Sequence, residues 1–213
     1  MNHANKKPQA KVRPRVIVGF AGLAGSGKST AAKLASEILQ MAGYWGQHIN
    51  FADPLKRFCG DVLGLSRDQL YGDDKETVDA FWCLTPRQIL QRVGTDALRT
   101  GFRSDVWCKC LERRVLSGDA LARNMKRDTP NAYVVGDVRF PDEKETIERL
   151  GGFCLWVDRP DLEIREAHGH ISEQLLGPGH DWAGIIDNSG TKADLESRVA
   201  ELLVQRIPEL LAA

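Results

Sequence analysis

Apolar positions along this chain fall into two alternating patterns: short continuous runs, and stripes that recur every three or four residues. The runs are Arg15 to Ala21, Gln47 to Phe51, Ala132 to Gly136, Phe153 to Val157 and Gly184 to Asp187, the signature of central strands covered on both faces. The stripes predict helices. One runs from Lys28 to Ala42, with Ala32, Ala35, Leu39 and Ala42 on one face and Gly43 as its stop. Another starts at Thr85-Pro86, a cap followed by an N1 proline, and reaches Thr100 with Ile89, Val93 and Ala97 as its apolar stripe. Further helices are predicted at 105 to 116, at 142 to 150 before Gly151-Gly152, and at 193 to 207. Strands separated by helices imply a parallel sheet with right-handed crossovers. The expected fold is α/β: a three-layer sandwich of one five-stranded parallel sheet with helices on both faces. Residues 1 to 14 read as a polar tail, 60 to 83 as helical fragments and loop, and 117 to 131 as an exposed insertion carrying Arg123, Lys126 and Arg127.

Between the first run and the first helix lies GLAGSGKST, residues 22 to 30. Gly22, Gly27, Lys28 and Ser29 satisfy the spacing of a phosphate-binding loop, with Gly25, Ser26 and Thr30 completing it. Glycines let backbone N–H groups turn inward around a polyphosphate, and the helix behind them adds its positive dipole end. Lys28 is then placed for the outer phosphates of ATP and Ser29 for Mg²⁺.

Other candidates sit where α/β sheets collect ligands, beyond the carboxyl ends of strands. Asp53 follows the second strand, leading Lys56 and Arg57 into a helix, and its carboxylate serves as helix cap or site residue. Asp137 stands at the tip of the third strand, where a nucleoside-triphosphate-binding protein keeps a second magnesium ligand. On the 85 to 100 helix, Arg92, Asp96 and Arg99 recur at helical spacing beside the apolar stripe, with Arg87 and Arg103 at the ends. Such arginine-rich spacing suits phosphate recognition, because guanidinium binds phosphate oxygens in pairs. Residues 158 to 182, rich in Arg, His, Gly and Pro, read as a lid in which Arg159 and Arg165 cover a transferring phosphoryl group. His168 and His170 are spaced two apart, which is not a helical zinc pair.

Composition narrows the function. The 29 basic and 29 acidic residues among 213 cancel, so no global field attracts duplex nucleic acid or a membrane surface. No run approaches the ~20 apolar residues of a membrane span, and the N-terminus lacks a signal-peptide core, which points to the cytoplasm. Five cysteines, odd in number and without C-x-x-C spacing, indicate neither disulfides nor zinc and read as buried or half-buried thiols. No N-K-x-D sequence is present to read guanine as a GTPase does. A phosphate loop with several arginines beyond it suggests a small-molecule phosphotransferase. A hydroxyl acceptor needs a base, for which Asp53 is the candidate, whereas a phosphate acceptor is already ionised and needs its repulsion with ATP cancelled. The arginines favour the phosphate acceptor.

GLAGSGKST, FADPLK at 51 to 56, TPRQILQRVGTDALR at 85 to 99, VVGDVRFPDE at 134 to 143, HISE at 170 to 173 and NSGT at 188 to 191 together resemble the deoxynucleoside monophosphate kinases of tailed bacteriophages. The resemblance spans residues 15 to 205. It implies the P-loop nucleoside monophosphate kinase fold in a single domain from residue 15 onward, with a monophosphate-binding region at 52 to 116 and the lid named above. It implies transfer of the ATP γ-phosphoryl group to a deoxynucleoside monophosphate for viral DNA synthesis in the host cytoplasm. Carried over, Lys28 and Ser29 hold triphosphate and magnesium, Asp53 and Arg92 border the acceptor, Asp137 and Arg139 flank the reacting phosphates, and Asn188, Gly190 and Thr191 flank adenine. A homodimer is compatible with a kinase of this size, with Trp82 or Trp107 as apolar contacts. The competing readings are a kinase of the same fold acting on dephospho-coenzyme A, phosphomevalonate or a modified base in DNA, and a non-catalytic ATP-binding protein.

Overall fold

The computed structural model describes residues 14 to 160 and 175 to 212. Five parallel strands form one sheet in the order β2-β3-β1-β4-β5: β1 (Val16–Ala21), β2 (Trp45–Ile49), β3 (Asn131–Val138), β4 (Phe153–Asp158) and β5 (Gly184–Asp187). The expected sheet is therefore present, with β2 beginning two residues earlier than the apolar run suggested. β1 is central, with Val18 opposite Val134 of β3 on one side and Phe153 of β4 on the other.

Alternation along β1 explains the layers. Val16, Val18 and Phe20 face a core shared with α1 (Lys28–Met41) and α7 (Lys192–Arg206). Ile17 and Ala21 face the opposite core, closed by α5 (Val106–Asn124) and α6 (Pro141–Arg149). Because β2 and β3 lie on one side of β1 and β4 and β5 on the other, the chain reverses its direction of winding around β1. The crevice at such a reversal is where open α/β sheets bind ligands.

Between β2 and α5 the chain builds a small satellite core from α2 (Asp53–Leu63), α3 (Arg67–Tyr71) and α4 (Pro86–Gln91), using Cys59, Leu65, Leu70 and Ile89. The helix beginning at Pro86 does not keep one pitch. From Arg92–Thr100 it continues as a π-helix, so the stripe expected from 3.6-residue spacing is broken: Ile89 is buried and Val93 half-buried, but Ala97 is exposed.

Two other expectations are corrected. Residues 117 to 124 are not an insertion but the last two turns of α5. Asp119, only 9% exposed, holds that end down by accepting hydrogen bonds from Asn131 Nδ2 (2.7 Å) and the Tyr133 hydroxyl (3.0 Å) and by pairing with Arg15. Cys83 is exposed, on a turn with φ of 52°, while Cys59, Cys108 and Cys154 are buried and Cys110 half-buried. No helix among the described residues is long and apolar enough to cross a membrane.

Candidate active site

The phosphate loop joins β1 to α1. Gly27, at φ of 94°, adopts a left-handed conformation that disfavours side chains. A Cβ there would also lie 2.3 Å from Asn188 Nδ2. That amide donates to the Ser26 carbonyl at 2.8 Å, so the turn after β5 braces the loop from behind. The Lys28 ammonium donates to the Leu23 carbonyl at 3.0 Å. Ser29 and Thr30 are exposed on the first turn of α1. The Ser26 hydroxyl is buried with no hydrogen-bond partner among the described residues.

The end of β3 forms the neighbouring wall. Asp137 accepts from the backbone N–H groups of Phe51 (2.9 Å) and Ala52 (3.0 Å), and Asn50 Oδ1 accepts from Gly136 N–H (3.1 Å). Asp53 in turn accepts from Asn50 N–H at 2.9 Å. The turn entering α2 is thus stitched to β3. Burial pushes the Asp137 carboxyl above the usual carboxylate range, opposed by the two amides and Arg139.

Beyond this turn lies a cleft of about 280 Å³ between α2, the α4 and π-helix wall, and the start of α6. Lys56, Lys75, Arg87, Arg99 and Arg139 line it against only Asp137 and Glu143, so five cations face two carboxylates. Phe51, Leu55, Leu70, Leu90 and Trp107 give it an apolar side. Burial, and then Lys75, lowers the Lys56 pKa, and its ammonium lies 4.2 Å over the Tyr71 ring.

Glu143 was not singled out in the sequence, although it closes the VVGDVRFPDE motif. It is 3% exposed and accepts from the N–H groups of Arg139 (2.8 Å) and Phe140 (3.2 Å). Its other oxygen pairs with Arg99 at 3.1 Å, and Arg99 also pairs with Asp142 at 2.9 Å and stacks on Phe140. Burial, reinforced by Asp137, pushes Glu143 up to about 8. The signal that could have found it is a glutamate three positions into a helix directly after a strand-end aspartate.

The π-helix changes which residues meet the cleft. An α-helix turns in 3.6 residues, so four-residue steps overshoot. A π-helix bonds five residues apart, as Gly101 N–H does to the Asp96 carbonyl (3.1 Å), so the same steps fall short. Joined end to end, the two deviations offset, and Arg87, Gln91, Thr95 and Arg99 line one wall. The expected row is split: Arg99 faces the cleft, whereas Arg92 and Asp96 are exposed and outside it.

Asp53 and Arg57 line a separate open groove with Arg67 and Arg114, and Lys56 borders both spaces. Arg103 pairs with Asp105 at the surface. Thr191 caps α7 through Asp194, and Gly190 is exposed beside it. Arg159 is exposed just past β4, while Arg165, His168 and His170 lie outside the described residues. Trp107 is no surface contact: it is buried and donates to the Gly94 carbonyl at 3.1 Å. Trp82 is 39% exposed.

Arg139 joins the two halves. It lines the cleft and also the hollow bounded by Gly22, Leu23, Ala24 and Lys28 of the phosphate loop. A model described as deoxynucleotide monophosphate kinase matches residues 71–199. A protein of Acanthamoeba polyphaga mimivirus, provisionally named a deoxynucleotide monophosphate kinase, is 37% identical over 195 residues, covering 86% of this chain and 94% of its own length. The chain belongs to the deoxynucleotide monophosphate kinase family. This kinase is accordingly a phosphotransferase acting in nucleotide chemistry. Solved structures similar to it include the Mycobacterium tuberculosis APS kinase in complex with AMPPNP and APS, at 15% identity and a TM-score of 0.45, covering 90% of this chain and 98% of that one. A gluconokinase from Sinorhizobium meliloti is 16% identical with a TM-score of 0.44, covering 95% and 98%.

Proposed function

We propose that this kinase transfers the γ-phosphoryl group of ATP to the phosphate of a deoxynucleoside 5′-monophosphate held in the cleft. The observation that carries the reading is Arg139, shared by the walls of the phosphate-loop hollow and the cleft. A guanidinium there touches donor and acceptor phosphates at once, which is where repulsion between two anions is greatest. The loop's N–H groups and Lys28 hold the triphosphate, and the exposed Arg159 just past β4 is assigned to cover it. The excess of cations in the cleft matches an acceptor dianion, with Arg99 braced by Glu143 beside Arg139 and Lys56 facing across.

The Ser29 hydroxyl and the Asp137 carboxylate fit Mg²⁺ arriving with ATP. Asp137 already receives two backbone amides, which suits a ligand acting through water more than a full cage. Among the described residues no cluster of three or more His, Cys, Asp or Glu could hold a metal by itself, so Ser29 and Asp137 would hold the ion only together with the ATP it arrives with. The ion supplies charge neutralisation on the phosphates. Asp53 is tied to Asn50 and opens to the other groove, which favours a phosphate acceptor over a hydroxyl one. The mimiviral relative supports a viral setting in which the diphosphate product feeds DNA synthesis in the host cytoplasm.

A coupled ADP-release assay with ATP and Mg²⁺ against each deoxy- and ribonucleoside monophosphate tests this. Turnover with deoxynucleoside monophosphates is expected. Turnover only with a hydroxyl-bearing acceptor, or binding of ATP without transfer, would overturn it.

A further inference from the structure

We infer that Gln91 and Thr95 read the base of the acceptor, and that the Gln91 amide lets the cleft take bases of either hydrogen-bond polarity. The inference rests on the acceptor assignment above. The cleft walls sort by chemistry into ionic groups, apolar side chains and a few neutral side chains with hydrogen-bonding ends; with the Trp107 indole spent on the Gly94 carbonyl, just two of these remain among the described residues: Gln91 and Thr95. Both are half-buried. Neither spends its side-chain polar group on a protein partner among the described residues.

Their neighbours behave differently. On the same helix Thr85 and Gln88 consume their side chains in a reciprocal cap, with Gln88 N–H to Thr85 Oγ1 at 3.2 Å and Thr85 N–H to Gln88 Oε1 at 2.9 Å. Arg87 pairs with Glu76 at one end of the wall, and Arg99 with Glu143 at the other. The unspent pair therefore sits in mid-wall, between charges already engaged and across from apolar side chains. With the acceptor phosphate at the Arg139 end, mid-wall is where its base lies. A polar group that loses water in such a place costs free energy unless a ligand replaces the lost hydrogen bond.

A primary amide carries one acceptor and two donors, and rotating it exchanges their positions. Adenine and cytosine present an amino donor beside a ring-nitrogen acceptor. Thymine and guanine present a carbonyl acceptor beside a ring N–H donor. Gln91 can pair with either arrangement, so the wild-type chain is expected to use acceptors of both kinds. A carboxylate at this position only accepts. Guanine alone offers it two adjacent donors, its ring N–H and its amino group, whereas thymine sets a carbonyl against it.

The test is kcat/KM for dAMP, dCMP, dGMP and dTMP, measured on the wild type, Gln91→Glu and Thr95→Val. For Gln91→Glu the dGMP to dTMP ratio should rise by roughly tenfold or more with the KM for ATP unchanged. Thr95→Val, nearly equal in size, should also redistribute the four values. If the wild type uses these nucleotides and both variants leave their ratios unaltered, the inference is overturned while the acceptor assignment stands. If the wild type uses none of them, both fall.

Discussion

The loop after β1 and the wall formed by α4 and the π-helix, to which the proposed function assigns donor and acceptor phosphates, are built in opposite ways. The loop presents backbone: glycines with left-handed geometry, N–H groups and a helix dipole, with Asn188 bracing it from behind. The wall presents side chains on a helix that changes pitch, seated by Gly94, whose absent Cβ leaves room for Leu55 and whose carbonyl takes the Trp107 indole. Backbone donors recognise any polyphosphate equally, which suits a donor common to every turnover. Side chains discriminate, which suits an acceptor that must be told from its relatives.

The sharpest way to break the contrast is at the loop. Lys28→Ala should lower kcat by about a thousandfold or more, since charge stabilisation of the transferring group is the main catalytic resource here. Its melting temperature should stay within a few degrees of wild type by calorimetry, and retention of substantial turnover would remove the loop from the chemistry. On the wall, Gly94→Ala would bring a methyl within 2.6 Å of Leu55 Cδ2. The expected outcome is a loss of about 1 to 3 kcal/mol of stability. The acceptor KM should rise about tenfold while the ATP KM holds, and steady-state kinetics varying each substrate would show whether the two regions are independent.

A milder probe is Asn188→Ala, which removes the brace on the Ser26 carbonyl. Losing one hydrogen bond of about 1 kcal/mol should raise the ATP KM several-fold and leave the acceptor KM alone. Smallest is an effect of pH. The Glu143 carboxyl titrates near 8 when folded, against an ordinary 4.5, so the folded chain binds the extra proton across that window. Stability from this group is then fully present below about 4.5 and lost as pH rises toward 8. Urea unfolding at pH 5 and pH 8 should show a steeper decline for the wild type than for Glu143→Gln, and parallel declines would mean that Arg99 keeps Glu143 ionised throughout.

Legibility in sequence follows the same division. The five strands and the phosphate loop were readable because continuous apolar runs and glycine spacing are local signals. The wall was not, because its Gly94 meets Leu55 and Trp107 only in the folded chain, and an assumed 3.6-residue period put Arg92 and Asp96 where Gln91 and Thr95 stand. The last turns of α5 were missed likewise, since their polarity conceals Asp119, whose partners Arg15, Asn131 and Tyr133 are brought together only by the sheet.

The Asn188 brace also has a bearing on biosynthesis. The Ser26 carbonyl meets its amide partner 162 positions later in the chain. A growing polypeptide therefore carries its nucleotide cradle out of the ribosome long before the piece that steadies it. Until β5 docks and brings Asn188 round, the turn at Ser26 stands without its brace.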